Sequence, residues 1–122
     1  MQREPAALRM ADPGVRSQFT EEARFQSWLD VDAALAQAQS DLGVIPRPAA
    51  DEITRKARLS FMDLKAVHEE LAKTVHPLVP LSWELDRVCD GDGGGWAHWG
   101  ATTQNITQTG KLLMLREAHR IY

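Results

Sequence analysis

The densest chemistry in this chain lies in the run His98-Trp99-Gly100-Ala101-Thr102-Thr103-Gln104-Asn105-Ile106-Thr107. It sets a histidine, a glycine, neighbouring threonine hydroxyls and two amides in the loop and first turn leading into an apolar helix. A helix start carries backbone N–H groups with no intrahelical partner and the positive end of the macrodipole. Hydroxyls and amides beside that end make it a site for a carboxylate or a phosphate. A helix cap needs only one such residue. The whole run reads as an anion-binding loop, with His98, Thr102, Thr103 and Gln104 as its candidate ligand-facing residues.

The elements that must position this loop are helical throughout. Thr20-Glu21-Glu22 has the form of a cap followed by first-turn acids. Phe25, Trp28, Leu29, Leu35, Ala36 and Leu42 then recur at helical spacing, and Gly43 stops the run. The pattern predicts helices over about 20–42, 49–58, 61–75, 77–90 and 103–122, the last running to Tyr122, within a single helical domain spanning 1–122. Phe61, Leu64, Val67, Leu71 and Val75 share one face of the third. Pro77 and Pro80 suit the first turn of the fourth. The Gly91-Asp92-Gly93-Gly94-Gly95 run lacks the Gly-Lys-Ser/Thr ending of a P-loop and reads as a flexible connection. No alternating strand pattern competes, so the fold class is all-α.

Composition excludes several functions. The 122 residues include 14 basic and 17 acidic side chains, a net charge of −3, which leaves no electrostatic footprint for nucleic acid or an anionic membrane. No apolar stretch approaches the length of a membrane span, and Met1-Gln2-Arg3-Glu4-Pro5 has no apolar core of a signal peptide. The lone Cys89 has no internal disulfide partner, which favours a reducing compartment; the expected location is the cytoplasm. His68, His76, Cys89, His98 and His119 form no close ligand pair, so no metal site is expected. Asp32 shares a face with Trp28, Leu35 and Ala36. Arg24 or Lys65 could partner it, with partial exposure the expected outcome. Trp96 and Trp99 could stack on a ring of a substrate, with packing into the core the expected outcome.

The last helix is still apolar where the sequence stops. Leu112, Leu113, Met114 and Leu115 form a band too wide for a helix with one wet face. Either this helix packs against another subunit, or the sequence is the front portion of a longer protein; the second is the expectation.

The stretch Phe25-Gln26-Ser27-Trp28-Leu29-Asp30-Val31-Asp32-Ala33-Ala34-Leu35-Ala36, with Leu42-Gly43-Val44-Ile45-Pro46, resembles the N-terminal domain of the fumarase/aspartase superfamily. The nearest branch holds adenylosuccinate lyase and 3-carboxy-cis,cis-muconate cycloisomerase. His76-Pro77-Leu78-Val79-Pro80-Leu81 and the His98–Thr107 loop fall in the order and spacing of those enzymes, and the resemblance runs from about Arg9 onward. It implies an all-helical homotetramer with active sites built from three subunits, and a fragment that ends at the start of the long central-bundle region. It further implies cofactor-free anti elimination that releases fumarate by C–N or C–O cleavage, or a related cycloisomerisation. Thr102 and Thr103 then match a hydroxyl pair that holds a substrate carboxylate or phosphate. His76 matches a substrate-binding histidine, His98 the histidine opening the first conserved loop, and Arg9 an arginine at a nucleotide phosphate. Met10 stands where the nucleotide-specific enzymes carry tyrosine, Pro77 where they carry aspartate, and Asn105 and Gln108 where aspartate is more usual. Together these departures argue against adenylosuccinate itself as substrate.

The chemistry matches the residue types. Elimination beside a carboxylate passes through an aci-carboxylate with two negative charges on one group, and preorganised N–H and O–H donors stabilise it. The family's general acid and serine base lie in later segments, so both are expected beyond Tyr122 and no catalytic acid or base is expected in these residues. The expected partner is a small polycarboxylate substrate, with no nucleic acid, membrane, metal or organic cofactor. The alternative is a truncated, non-catalytic anion-binding or oligomerisation module.

Overall fold

The structure, a computed structural model, describes residues 11–122. Thr20 starts the architecture: its hydroxyl accepts the Ala23 N–H at 3.1 Å, and Glu21 and Glu22 follow in the first turn of α1 (Glu21–Asp41). Phe25, Ser27, Trp28, Leu29, Val31, Asp32 and Ala36 are all buried, which covers more than one face of this helix. A helix buried on that much of its circumference is central, and α1 packs against both α2 (Arg47–Lys56) and α5 (Thr103–Ile121). Gly43, with φ of 73°, supplies the left-handed residue that ends α1.

The connections are set by proline and by side chains that cap backbone groups. Pro48 is tolerated in the first turn of α2, which therefore begins two residues before the expected 49. Gln26 of α1 donates to the Ala57 carbonyl at 3.1 Å and accepts the Leu59 N–H at 2.8 Å, fixing the chain beyond α2. There Leu59–Phe61 forms a separate 3-10 turn, and Asp63 accepts the Ala66 N–H at 3.2 Å to open α3 (Leu64–Thr74). The apolar residues of that turn merge with the pattern of α3, which is why periodicity alone starts the helix at 61. Val75, expected on the apolar face, instead closes α3 in the left-handed region at φ 61° and is 85% exposed. Leu42 likewise lies outside the core at the end of α1.

α4 (Leu78–Val88) packs on α3, and its buried Glu84 accepts the Asp63 N–H at 3.0 Å while pairing with Arg87. Glu52 of α2 does the same work on the other side, accepting the Asp90 N–H at 2.8 Å. The glycine run is a packed turn rather than a flexible connection. Gly94–Trp96 is a 3-10 turn, and Gly93 and Gly94 are buried against Glu52 and Asp86. A Cβ on Gly94 would lie 2.6 Å from the Asp86 Cα.

The core is formed by Phe25, Leu29, Ile53, Val67, Leu78, Leu81, Leu85 and Ile106, each fully or almost fully buried. Burial of each larger side chain contributes roughly 1.5–3 kcal/mol. Gln39 near the end of α1 donates to the Trp99 carbonyl, whereas Gly110 of α5 rests on Ser27 and Trp28. α5 therefore runs antiparallel to α1, its start beside the later turns of α1. Its other end corrects the expected span of 103–122: the helix closes at Ile121, and Tyr122 is the flanking cap residue, outside the helix and almost fully exposed. A cap residue is only half inside its helix, and apolar periodicity does not register that last step. All regular elements among the described residues are helical, with no strand.

Candidate active-site face

His98 sits in the loop before α5 with φ of 60°, a left-handed backbone that is unusual for a residue with a Cβ. Gly100 follows at φ 68°, and the Ala101 N–H returns to the His98 carbonyl at 3.3 Å. Trp96 is half-buried and packs against the core as expected, whereas Trp99 stays outside it; their rings pack on each other at 4.8 Å, with Trp99 half-exposed. The 2.7 Å bond from Gln39 Nε2 to the Trp99 carbonyl ties this loop to α1. The fold thus holds the histidine in a strained backbone from two sides.

The imidazole Nδ1 of His98 lies 3.4 Å from Oδ1 of Asp32, whose side chain is 1% exposed. This corrects the expectation for Asp32: it is fully buried, and its partner is His98, not Arg24 or Lys65. Burial pushes the Asp32 carboxyl up to about 6, while the attraction of His98 works in the opposite direction. The signal in the sequence was an acid one turn beyond Trp28 inside an apolar stripe. What it lacked was the partner, 66 positions away.

His76 precedes α4, and its Nδ1 accepts the Leu78 N–H at 3.2 Å, so one ring nitrogen serves the start of that helix. Its ring faces Trp28 at 6.5 Å between centroids. Trp28 and Asp32 are four residues apart and occupy successive turns on one side of α1. His76 and His98 are thereby brought to adjacent rungs of the same helix.

α5 supplies the third wall. The Asn105 side-chain carbonyl accepts the Thr102 N–H at 3.0 Å, and the Asn105 N–H bonds the Thr102 carbonyl. Asn105 is therefore a cap residue. Among the described residues, no acceptor meets the N–H groups of Thr103 and Gln104, and the Thr103 hydroxyl is also without a partner. Thr103, Thr107 and Lys111 recur every fourth residue and share a face. Thr107 and Lys111, with Gln108, line a cleft of about 410 Å³ whose opposite wall is Trp28 and Arg24. Arg24 lies over the Trp28 ring at 5.8 Å. Neither Arg24 nor Lys111 pairs with a carboxylate among the described residues, so the cleft is cationic. Sequence reasoning considered Arg24 only as a partner for Asp32 and did not single out Lys111. Thr102 and Gln104 are exposed, His98 and Thr103 half-buried. Tyr122 stands at the opposite end of α5 from Thr103, beside Phe19, and takes no part in this face. Arg9 lies outside the described residues. No cluster of three or more metal-ligating side chains occurs among the described residues.

No protein-family model matches the sequence. An adenylosuccinate lyase of Methanothermobacter thermautotrophicus is 41% identical over 114 residues, 93% of this chain and 25% of that protein. An N-acetyl-S-(2-succino)cysteine lyase of Enterococcus italicus is 41% identical over 107 residues, 88% of this chain and 23% of that protein. In structure, β-carboxy-cis,cis-muconate cycloisomerase of Acinetobacter calcoaceticus superposes with a TM-score of 0.81 at 31% identity, covering 87% of this chain and 26% of that enzyme. The class is thus a helical relative of lyases and a cycloisomerase. The chain belongs to the fumarase/aspartase superfamily, as an N-terminal portion of that architecture. It spans about a quarter of the length of the relatives it matches.

Proposed function

We propose that this chain is the substrate-carboxylate-binding part of a lyase that expels a nitrogen, oxygen or sulfur group from a succinyl-type substrate and releases fumarate. The observation that carries the reading is the register of His76 and His98 on adjacent turns of α1, beside a helix start with open donors. Both sequence relatives named above are lyases whose names contain a succinyl group.

In such an elimination a base removes the proton from one carbon and the neighbouring carbon loses its heteroatom with the bonding pair. The double bond of fumarate forms between them. Before the heteroatom leaves, the deprotonated substrate carries two negative charges on one carboxylate. The Thr103 hydroxyl and the first N–H groups of α5 are suited to bind that group, and a preorganised donor there favours the charged intermediate over the substrate. His98 and His76 would flank the substrate as hydrogen-bond partners. Proton transfer would fall to segments that the relatives possess and this chain does not span, contributed within a homotetramer. No described helix is long and apolar enough to cross a membrane, and a cytoplasmic enzyme is part of the proposal.

The test is to assay the intact polypeptide carrying this sequence for fumarate release from a panel of N- and S-succinyl compounds. Thr103→Ala should lower turnover by about 10²–10³ with an unchanged circular-dichroism spectrum. Wild-type turnover in that variant would remove the carboxylate-binding role. Turnover only of a carboxymuconate, with no succinyl compound cleaved, would replace elimination by cycloisomerisation.

A further inference from the structure

The buried carboxylate beside His98 has no place in the reading above, and its position gives it one. Asp32 sits in the interior face of α1, between the rung that carries Trp28 and the one that carries Ala36, and only 1% of its side chain is exposed. Nothing in the packing of an apolar stripe calls for an aspartate there. A fully buried, ionisable side chain persists only where a partner compensates it. The partner within reach is the Nδ1 of His98, and the acid on its own helix turn, Asp30, is turned out to solvent, where it accepts from Gln26.

His98 itself is restrained on its backbone side, by the left-handed φ of 60°, by the turn that closes at Ala101 and by the Gln39 bond to Trp99. The backbone strain fixes where the ring begins; it does not fix which ring nitrogen carries the hydrogen. In a neutral imidazole one nitrogen donates and the other accepts, and the hydrogen bond made by one decides the state of the other.

We propose that Asp32 is a positioning residue for His98: its carboxylate accepts the hydrogen of Nδ1, holds the ring in the Nδ1–H tautomer, and leaves Nε2 as the nitrogen that meets the substrate. The role rests on the reading of His98 as a substrate-facing residue. It does not make Asp32 a group that touches substrate. At 3.4 Å the contact is long for a charge-assisted bond. Such bonds commonly shorten when substrate fills the site.

The experiment is a ring-nitrogen NMR correlation spectrum of the intact, histidine-labelled polypeptide, recorded at mildly alkaline pH for wild type, Asp32→Asn and His98→Gln, alongside steady-state kinetics on the succinyl compound it cleaves. The wild-type His98 signal should show the Nδ1–H tautomer. Asp32→Asn, which is isosteric and removes a buried charge, should shift it toward Nε2–H and lower kcat by about 10²-fold with a smaller change in KM. In a His98→Gln background the same substitution should have little further effect, because its action passes through the imidazole. An Nε2–H tautomer in the wild type would overturn the proposal without recourse to any variant. So would an unchanged His98 tautomer in Asp32→Asn, or an equal loss of kcat whether or not His98 is present. Full activity in His98→Gln would overturn the substrate-facing reading together with the positioning role. Loss of activity in His98→Gln, with no tautomer change in Asp32→Asn, would overturn the positioning role alone.

Discussion

At the scale of single residues, Asp32 carries opposed effects whose balance depends on pH. Burial disfavours its charge, His98 favours it, and burial dominates, pushing its carboxyl up from the ordinary aspartate value to about 6. The folded chain therefore holds this proton more tightly than the unfolded chain does. Stability from this group is fully present below the ordinary aspartate range and is lost as pH climbs through about 6. Asp32→Asn has no such proton to lose. Its unfolding free energy relative to wild type should therefore rise with pH over that window, by about 3 kcal/mol. Urea melts of both proteins at acidic and neutral pH measure this, and a constant difference would show that Asp32 keeps its charge at little cost in the fold. The loop around His98 was legible in the sequence because its chemistry is contiguous. The pair it forms with Asp32 was not, since no local period reports a contact spanning 66 positions. His76 was legible only through family resemblance; its placement against Trp28 depends on how α4 docks.

At the scale of elements, the antiparallel crossing of α1 and α5 depends on a missing side chain. A Cβ on Gly110 would lie 2.6 Å from Trp28 Cδ1 and 2.7 Å from Ser27 Oγ. Alanine is the better helix former by about 1 kcal/mol, yet overpacking at a close crossing costs about 1–3 kcal/mol. Gly110→Ala should lower the melting temperature and, by moving Trp28, disturb the cleft as well; a higher melting temperature would mean that the helices part easily. The glycine turn after α4 gives a matched pair. Gly94 faces the Asp86 backbone, which cannot swing aside, so Gly94→Ala should cost about 3 kcal/mol, the upper part of that range. Gly95 faces open space, and Gly95→Ala should change the melting temperature little. Equal effects at the two positions would contradict the packed turn. Five helices could be read from apolar periodicity because each has a capping residue or a proline at its start. Their ends were less legible: Tyr122 continues the apolar pattern of α5 yet lies outside the helix. The turn at Leu59–Phe61 could not be read either, because three apolar-flanked residues hold the same pattern whether they extend a helix or precede it.

At the scale of the whole molecule, the helical frame is complete around α1 but α5 is covered on one side only. Ile106, Gly110, Met114 and Ala118 are buried, whereas Leu112 and Leu115 are 65% and 46% exposed on the other face. Apolar surface of that kind associates in water. A protein of these 122 residues should sediment as a concentration-dependent mixture, and replacing both leucines by lysine should shift it toward the monomer. A monomer at every concentration in the unmodified chain would count against that face being adhesive. The register of the two histidines has a further consequence, which concerns insertions. An α-helix advances about 100° per residue, so α1 acts as an angular scale as well as a linear one. One residue added between Trp28 and Asp32 would lengthen that interval by little. It would nonetheless swing the carboxylate about a quarter-turn away from His98, so the spacing of the two rungs is constrained in phase far more tightly than in length.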